Sequence, residues 1–188
     1  MRKSVFLVPA LLVLLTACSP VAREPDNLAL VRVLGVDGKS SVGLSAVCGK
    51  DSGGNVMKGF AQSADFERAR AQVVWSGGGK ELSLTGVSHL VVGPDVELEA
   101  LLLAILRDSD LGASAKVWLA TEGAYELLEA CKDPAADLEL LELKQIKAPS
   151  VAQAAAALST DGSVTMPILN MENGRLKEGG WIVWRKNG

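Results

Sequence analysis

Apolar and polar positions change rhythm several times along this chain, and each rhythm predicts an element. The runs Leu28–Val36 in "LALVRVLGV" and Val42–Cys48 in "VGLSAVC" are rich in β-branched and apolar residues and predict two strands. Asp37-Gly38 between them is a hairpin signal, because glycine takes the positive φ a tight turn requires. Alternation places Val31, Val33 and Gly35 on one face of the first strand, with Arg32 and Leu34 on the other. "KDSGGN" is a loop. Ser63 then caps a helix to about Val74, with Phe66, Ala69 and Val73 at helical spacing, and "SGGGK" stops it.

"VSHLVVG" is a short apolar strand, Val87 to Val92, and "GPDVELEALLLAILRDSD" is the clearest helix. Pro94 suits its first turn, Asp95, Glu97 and Glu99 favour its positive end, and Leu98, Leu101, Leu102, Ile105 and Leu106 form its apolar face. Lys116–Ala120 is a strand with Trp118 and Ala120 on one side. "GAYELLEACKD" is a helix with Tyr125, Leu128 and Cys131 close to one face, ended by Pro134. "AADLELLELKQI" is a further helix with Leu138, Leu141 and Gln145 on one face; its alternation of Leu and Glu also fits a strand. Ser150 caps the alanine-rich helix "VAQAAAALS". "DGSVTMPILNM" and "GGWIVWRKNG" are two final strands joined by "ENGRLKEGG". The order β-β-α-β-α-β-α-α-α-β-β lacks a strict βαβ repeat. It predicts an α+β fold, or α/β with a mixed sheet: a single domain of mixed β-sheet flanked by helices.

The N-terminus has a different grammar. Arg2 and Lys3 precede an apolar run, Val5–Leu15, which ends at the small residue Ala17. The run is too short to span a bilayer, which takes about 20 apolar residues. Leu15-Thr16-Ala17-Cys18 looks like a bacterial lipobox, in which Cys18 becomes the first mature residue and carries lipid on its sulfur and amine. The plainer alternative is a signal peptide that happens to hold a cysteine near its end. The expected organisation is a lipoprotein signal peptide at 1–17, a lipid-anchored tether at 18–27 and a domain at 28–188. The tether "SPVAREPDN" is polar and, fully extended, reaches at most roughly 30 Å.

Charge and chemistry narrow the function classes. Removing residues 1–17 leaves 17 basic residues against 22 acidic ones, a net charge of −5, with no basic patch, so no nucleic-acid partner is expected. The single histidine, His89, lies among apolar residues and reads as a core or sheet-edge residue. One His with two widely separated cysteines gives no metal-ligand spacing, and no cofactor is expected. Lys80 in "SGGGKE" is followed by Glu81, which breaks the phosphate-loop pattern. Cys48 and Cys131 are either a disulfide or two independent buried thiols. Glu126, Glu129, Glu139 and Glu142 are the acids an enzyme would use, but their helical spacing favours a solvated face.

Several segments together resemble the N-terminal domain of the Ger(x)C family of spore germination lipoproteins, the C subunit of germinant receptors. The resemblance rests on the lipobox leader, "LALVRVLGVDG" (28–38), "SHLVVGPDV" (88–96), "LLLAILRDSDLGASAKVWLATEGAYELLEA" (101–130), "MPIL" and "GGWIVWRKNG". It covers nearly the whole chain and corresponds to the first third to half of a typical family member. Cys18-Ser19-Pro20 replaces the family's frequent Cys-Trp-Asp, and Ser88 stands where the family has Gly before the histidine. The resemblance implies a non-enzymatic, lipid-anchored subunit on the outer face of the spore inner membrane. It would act in germination with integral-membrane receptor subunits as partners. The competing expectation is an exported lipoprotein that binds a small ligand, or a truncated non-functional homologue.

Overall fold

The computed structural model describes residues 28–38, 41–51, 53–75, 81–108 and 110–186. The leader, Cys18, the tether and the glycine-rich "SGGGK" lie outside the described residues.

The strands are β1 (Leu28–Asp37), β2 (Val42–Lys50), β3 (Val56–Ser63), β4 (Val74–Trp75), β5 (Glu81–Ser83), β6 (His89–Val92), β7 (Lys116–Ala120), β8 (Ser163–Glu172) and β9 (Arg175–Arg185). The helices are α1 (Phe66–Gln72), α2 (Leu98–Arg107), α3 (Ala124–Ala130), α4 (Pro134–Leu143) and α5 (Val151–Asp161). Eight strands run β4-β3-β2-β1-β6-β7-β8-β9, and β5 pairs with the start of β1. β1, β6, β7 and β8 are parallel, while β2, β3, β4 and β9 add antiparallel pairs. This is a single α+β domain built on a mixed sheet.

The sheet separates two apolar layers. Leu34, Leu44, Leu90 and Met166 pack with Ala69 of α1, Leu102 and Ile105 of α2 and Leu158 of α5. Val33, Val47, Val91 and Trp118 pack on the other face with Leu128 of α3 and Leu138 of α4. Strands sandwiched this way have no solvent face, which is why every residue of β6, His89 included, is buried.

Local chemistry sets many element ends. Ser150 Oγ accepts from Gln153 N, and Gln153 Oε1 accepts from Ser150 N, a reciprocal capping box at the start of α5. Gly162, at φ 66°, ends that helix in the left-handed conformation. Asp65, rather than Ser63, caps α1, because Ser63 still belongs to β3. Pro134 opens α4 at its first turn, with Asp133 as cap, instead of closing the helix before it. α2 begins at Leu98, so Pro94 and Asp95 precede it as a turn, and Leu106 is exposed.

Three further expectations are corrected. "VMKGFAQS" is a full strand, β3, which pairs along β2, and the short strands β4 and β5 also join the sheet. The last connection is not a long loop: Asn173 (φ 53°) and Gly174 (φ 73°) make a two-residue turn, and Arg175 already lies in β9. A bulge at Arg32 shifts the phase of β1, since Val31 pairs with Cys48 but Val33 with Val47. Val31 therefore joins Leu34 and Val36 in one layer, while Val33 faces the other.

Candidate functional site

The parallel strands β1, β6 and β7 finish side by side, at Asp37, Gly93 and the Glu122–Gly123 turn. A crevice of about 270 Å³ opens there, lined by Asp37, Phe60, Asp95, Glu122, Tyr125 and Glu126 among others. The carboxyl ends of parallel strands are the usual ligand position in open α/β sheets.

Asp37 organises this crevice. Its two carboxylate oxygens accept from Ala124 N and Tyr125 N, each at 2.7 Å. These are first-turn amides of α3, whose own N-cap, Gly123, has no side chain to offer. A residue on β1 thus caps a helix 87 positions later. Burial raises the Asp37 pKa above its usual value; the two amide bonds oppose this, and the nearby charges of Glu126 and Asp95 add to it.

Glycines make the approach possible. A Cβ on Gly93 would stand 2.0 Å from Asp37 Oδ1, and one on Gly35 would stand 2.7 Å from Leu128 Cδ1. At the far end of α3, Lys58 of β3 donates to the carbonyls of Glu129 (2.6 Å) and Cys131 (2.9 Å). An acid holds the positive end of the helix and a lysine its negative end. Phe60 of β3 and Tyr125 of α3 meet with ring centroids 4.3 Å apart at the crevice wall.

A second cluster ties α4 to β9. Asp137 is buried, and its Oδ1 accepts from Arg175 Nε (2.9 Å) and Nη2 (2.6 Å). Its Oδ2 accepts from Leu176 N (2.9 Å) and from the Cys131 thiol (3.4 Å). Sequence pattern missed Asp137, since its arginine lies 38 positions away. Arg70 of α1 similarly bonds Asp108 (2.9 Å) and Asp110 beyond the end of α2.

The residues singled out from sequence do not converge. His89 is 1% exposed, and its Nδ1 accepts from Trp118 Nε1 at 3.3 Å. Burial first, then the charges of Arg32 and Lys116, lower its pKa to about 4, so it is a neutral core residue at pH 7. Cys48 and Cys131 are buried thiols not joined by a disulfide, and they lie in opposite layers of the fold. Burial pushes the Cys131 pKa up to about 11. Glu126, Glu129 and Glu139 are exposed and Glu142 is half-buried; Glu139 pairs with Arg32 at 2.5 Å. Only Glu126 reaches the crevice. Cys18 lies outside the described residues. Among the described residues no group of three His, Cys, Asp or Glu could hold a metal ion, and no helix is long and apolar enough to cross a membrane.

Comparison with known protein families, with characterised proteins and with solved structures finds no match to this chain.

Proposed function

We propose that the chain is a lipid-anchored, non-catalytic subunit related to the germinant-receptor C subunits, acting in spore germination through contacts with integral-membrane partners. One observation carries the reading: the separate segments that resemble the family meet in space. Gly35 and Asp37 come from the first segment, Gly93 from the second, and Ala124, Tyr125 and Leu128 from the third. Their glycines and the acid serve close packing and helix capping. The resemblance therefore rests on residues that hold a scaffold together, as expected for a protein that works by contact. Asp37 is occupied by two amides, which suits a structural role better than that of a general base.

The test is Cys18→Ala in the native host. The expected outcome is loss of acyl labelling, release of the chain from the membrane fraction and impaired nutrient-triggered germination. A variant that stays on the membrane and supports normal germination overturns the proposal. Saturable hydrolysis or ligand binding by the purified chain, abolished at Glu126 or Asp95, would favour the small-ligand alternative at the crevice.

A further inference from the structure

α4 lies across one end of the sheet. Before its first turn, Asp133 pairs with Lys50 at the end of β2 (3.1 Å). Midway, Glu139 pairs with Arg32 of β1. Beyond it, Pro149 O accepts from Val117 N (2.8 Å), and Ser150 bridges Lys116 at the start of β7. Lys50 neighbours the first half of β1, because Cys48 pairs with Val31. Ser88 N donates to Arg32 O just before β6 begins. These contacts string α4 and its following loop along the amino-terminal end of the parallel strands, opposite the Asp37 crevice.

The outward side of α4 is unusual. Leu143 is 77% exposed and Leu140 37%, and Leu30 near the start of β1 is 54% exposed. Leu140 and Leu143, three apart, share the exposed side of α4; Lys144 caps the helix, and Lys147 lies in the loop that follows, beyond the turn at Gln145 (φ 69°). Among the described residues Lys144, Lys147 and Lys116 form no ion pair, although the whole chain carries a net charge of −3. The carboxylates at this end include Asp133, held by Lys50, Glu139, held by Arg32, the half-buried Glu142, Glu81 beside Leu28, Asp51 just after β2 and Asp161 just before β8. Two exposed leucines with Lys144 and Lys147 beside them suit the surface of an anionic bilayer, where the leucines enter the headgroup region and the lysines meet lipid phosphates.

Chain geometry points the same way. The polypeptide enters the fold at Leu28, at this end. We infer that the α4 ridge, with Leu143 at its centre, rests on an anionic lipid bilayer and turns the Asp37 crevice away from it. This deepens the anchored-subunit reading: a tether reaching at most roughly 30 Å from Cys18 brings this end of the domain to the membrane first.

The experiment places an environment-sensitive fluorophore at Leu143→Cys, with Glu122→Cys at the opposite end as control. The full chain, lipidated or carrying Cys18→Ala, is mixed with vesicles of phosphatidylcholine alone or with phosphatidylglycerol added. The expected result is a blue-shifted, quencher-protected signal at 143 but not at 122, only on phosphatidylglycerol vesicles. Lys144→Glu with Lys147→Glu should reduce that signal roughly tenfold or more, as should high salt. An aqueous signal at 143 on vesicles that carry the chain overturns the inference while leaving the anchor intact. A protected signal that persists with Cys18→Ala upholds the inference and counts against the anchor. A shift at 143 with membranes from the host, but not with pure lipid, assigns the ridge to a protein partner and overturns the lipid reading. Failure of the chain to float with any vesicle overturns both.

Discussion

Gly93 leaves the space that Asp37 fills. A methyl group on Gly93 would come within 2.0 Å of Asp37 Oδ1, the same oxygen that receives the Ala124 amide. The end of β6, the end of β1 and the start of α3 are thereby one packing unit. Gly93→Ala should cost about 2–3 kcal/mol. Asp37→Ala should cost a comparable amount by leaving two amides of α3 uncapped. Because both act through one oxygen, the double variant should cost clearly less than the sum, by at least about 1 kcal/mol. Urea denaturation of the four proteins measures this; strict additivity would show that the two residues act independently.

Asp137 should be the more costly residue of its cluster. Asp137→Ala removes the acceptor for Arg175, Leu176 N and the Cys131 thiol in a buried setting, and should cost about 3–5 kcal/mol. Arg175→Ala, at a side chain 56% exposed, should cost less. Thermal unfolding of both variants checks the order.

Ser45 predicts a gain. Its hydroxyl is buried with no hydrogen-bond partner among the described residues. Ser45→Ala should leave the fold unchanged and raise stability by about 0.5–1.5 kcal/mol, read from the urea midpoint.

His89 predicts an acid-sensitive core. Its folded pKa, about 4, lies below the reference 6.5, so between these values the unfolded chain binds the extra proton. Its contribution is fully present above pH 6.5 and is lost as pH falls toward 4, amounting to roughly 3 kcal/mol over that span. His89→Asn keeps an acceptor near Trp118 Nε1 and removes the titration. Its stability should be lower at pH 7 but flatter from pH 6.5 to 4. An unchanged slope would place the acid sensitivity elsewhere.

The two buried thiols predict latency. In Cys18→Ala, a thiol reagent at pH 8 should label neither Cys48 nor Cys131 in the folded protein and both in denaturant. Rapid native labelling would contradict the packing of both layers.

Legibility followed distance along the chain. The strand Lys116–Ala120, Ser150 as a helix cap and the apolar face of α2 were readable because each depends on residues three to ten positions apart. β3 was missed because "VMKGFAQS" has little apolar alternation; pairing along β2 supplies what its own pattern lacks. Asp37 was readable as a turn residue, but its carboxylate is used 87 positions away, at an amide no periodicity marks.

The amino-acid sequence by itself determined where most elements lie, the mixed α+β class and the core setting of His89. Those properties arise from local hydrogen bonding, side-chain periodicity and composition. Tertiary structure decided the rest: the phase shift at Arg32 that reassigns Val31, the opposite layers of Cys48 and Cys131, and the union of Asp37, Gly93 and α3. It also left one side of α4 uncovered. Such features depend on which faces meet once the sheet closes, and close packing between distant segments leaves little trace in any short window of sequence.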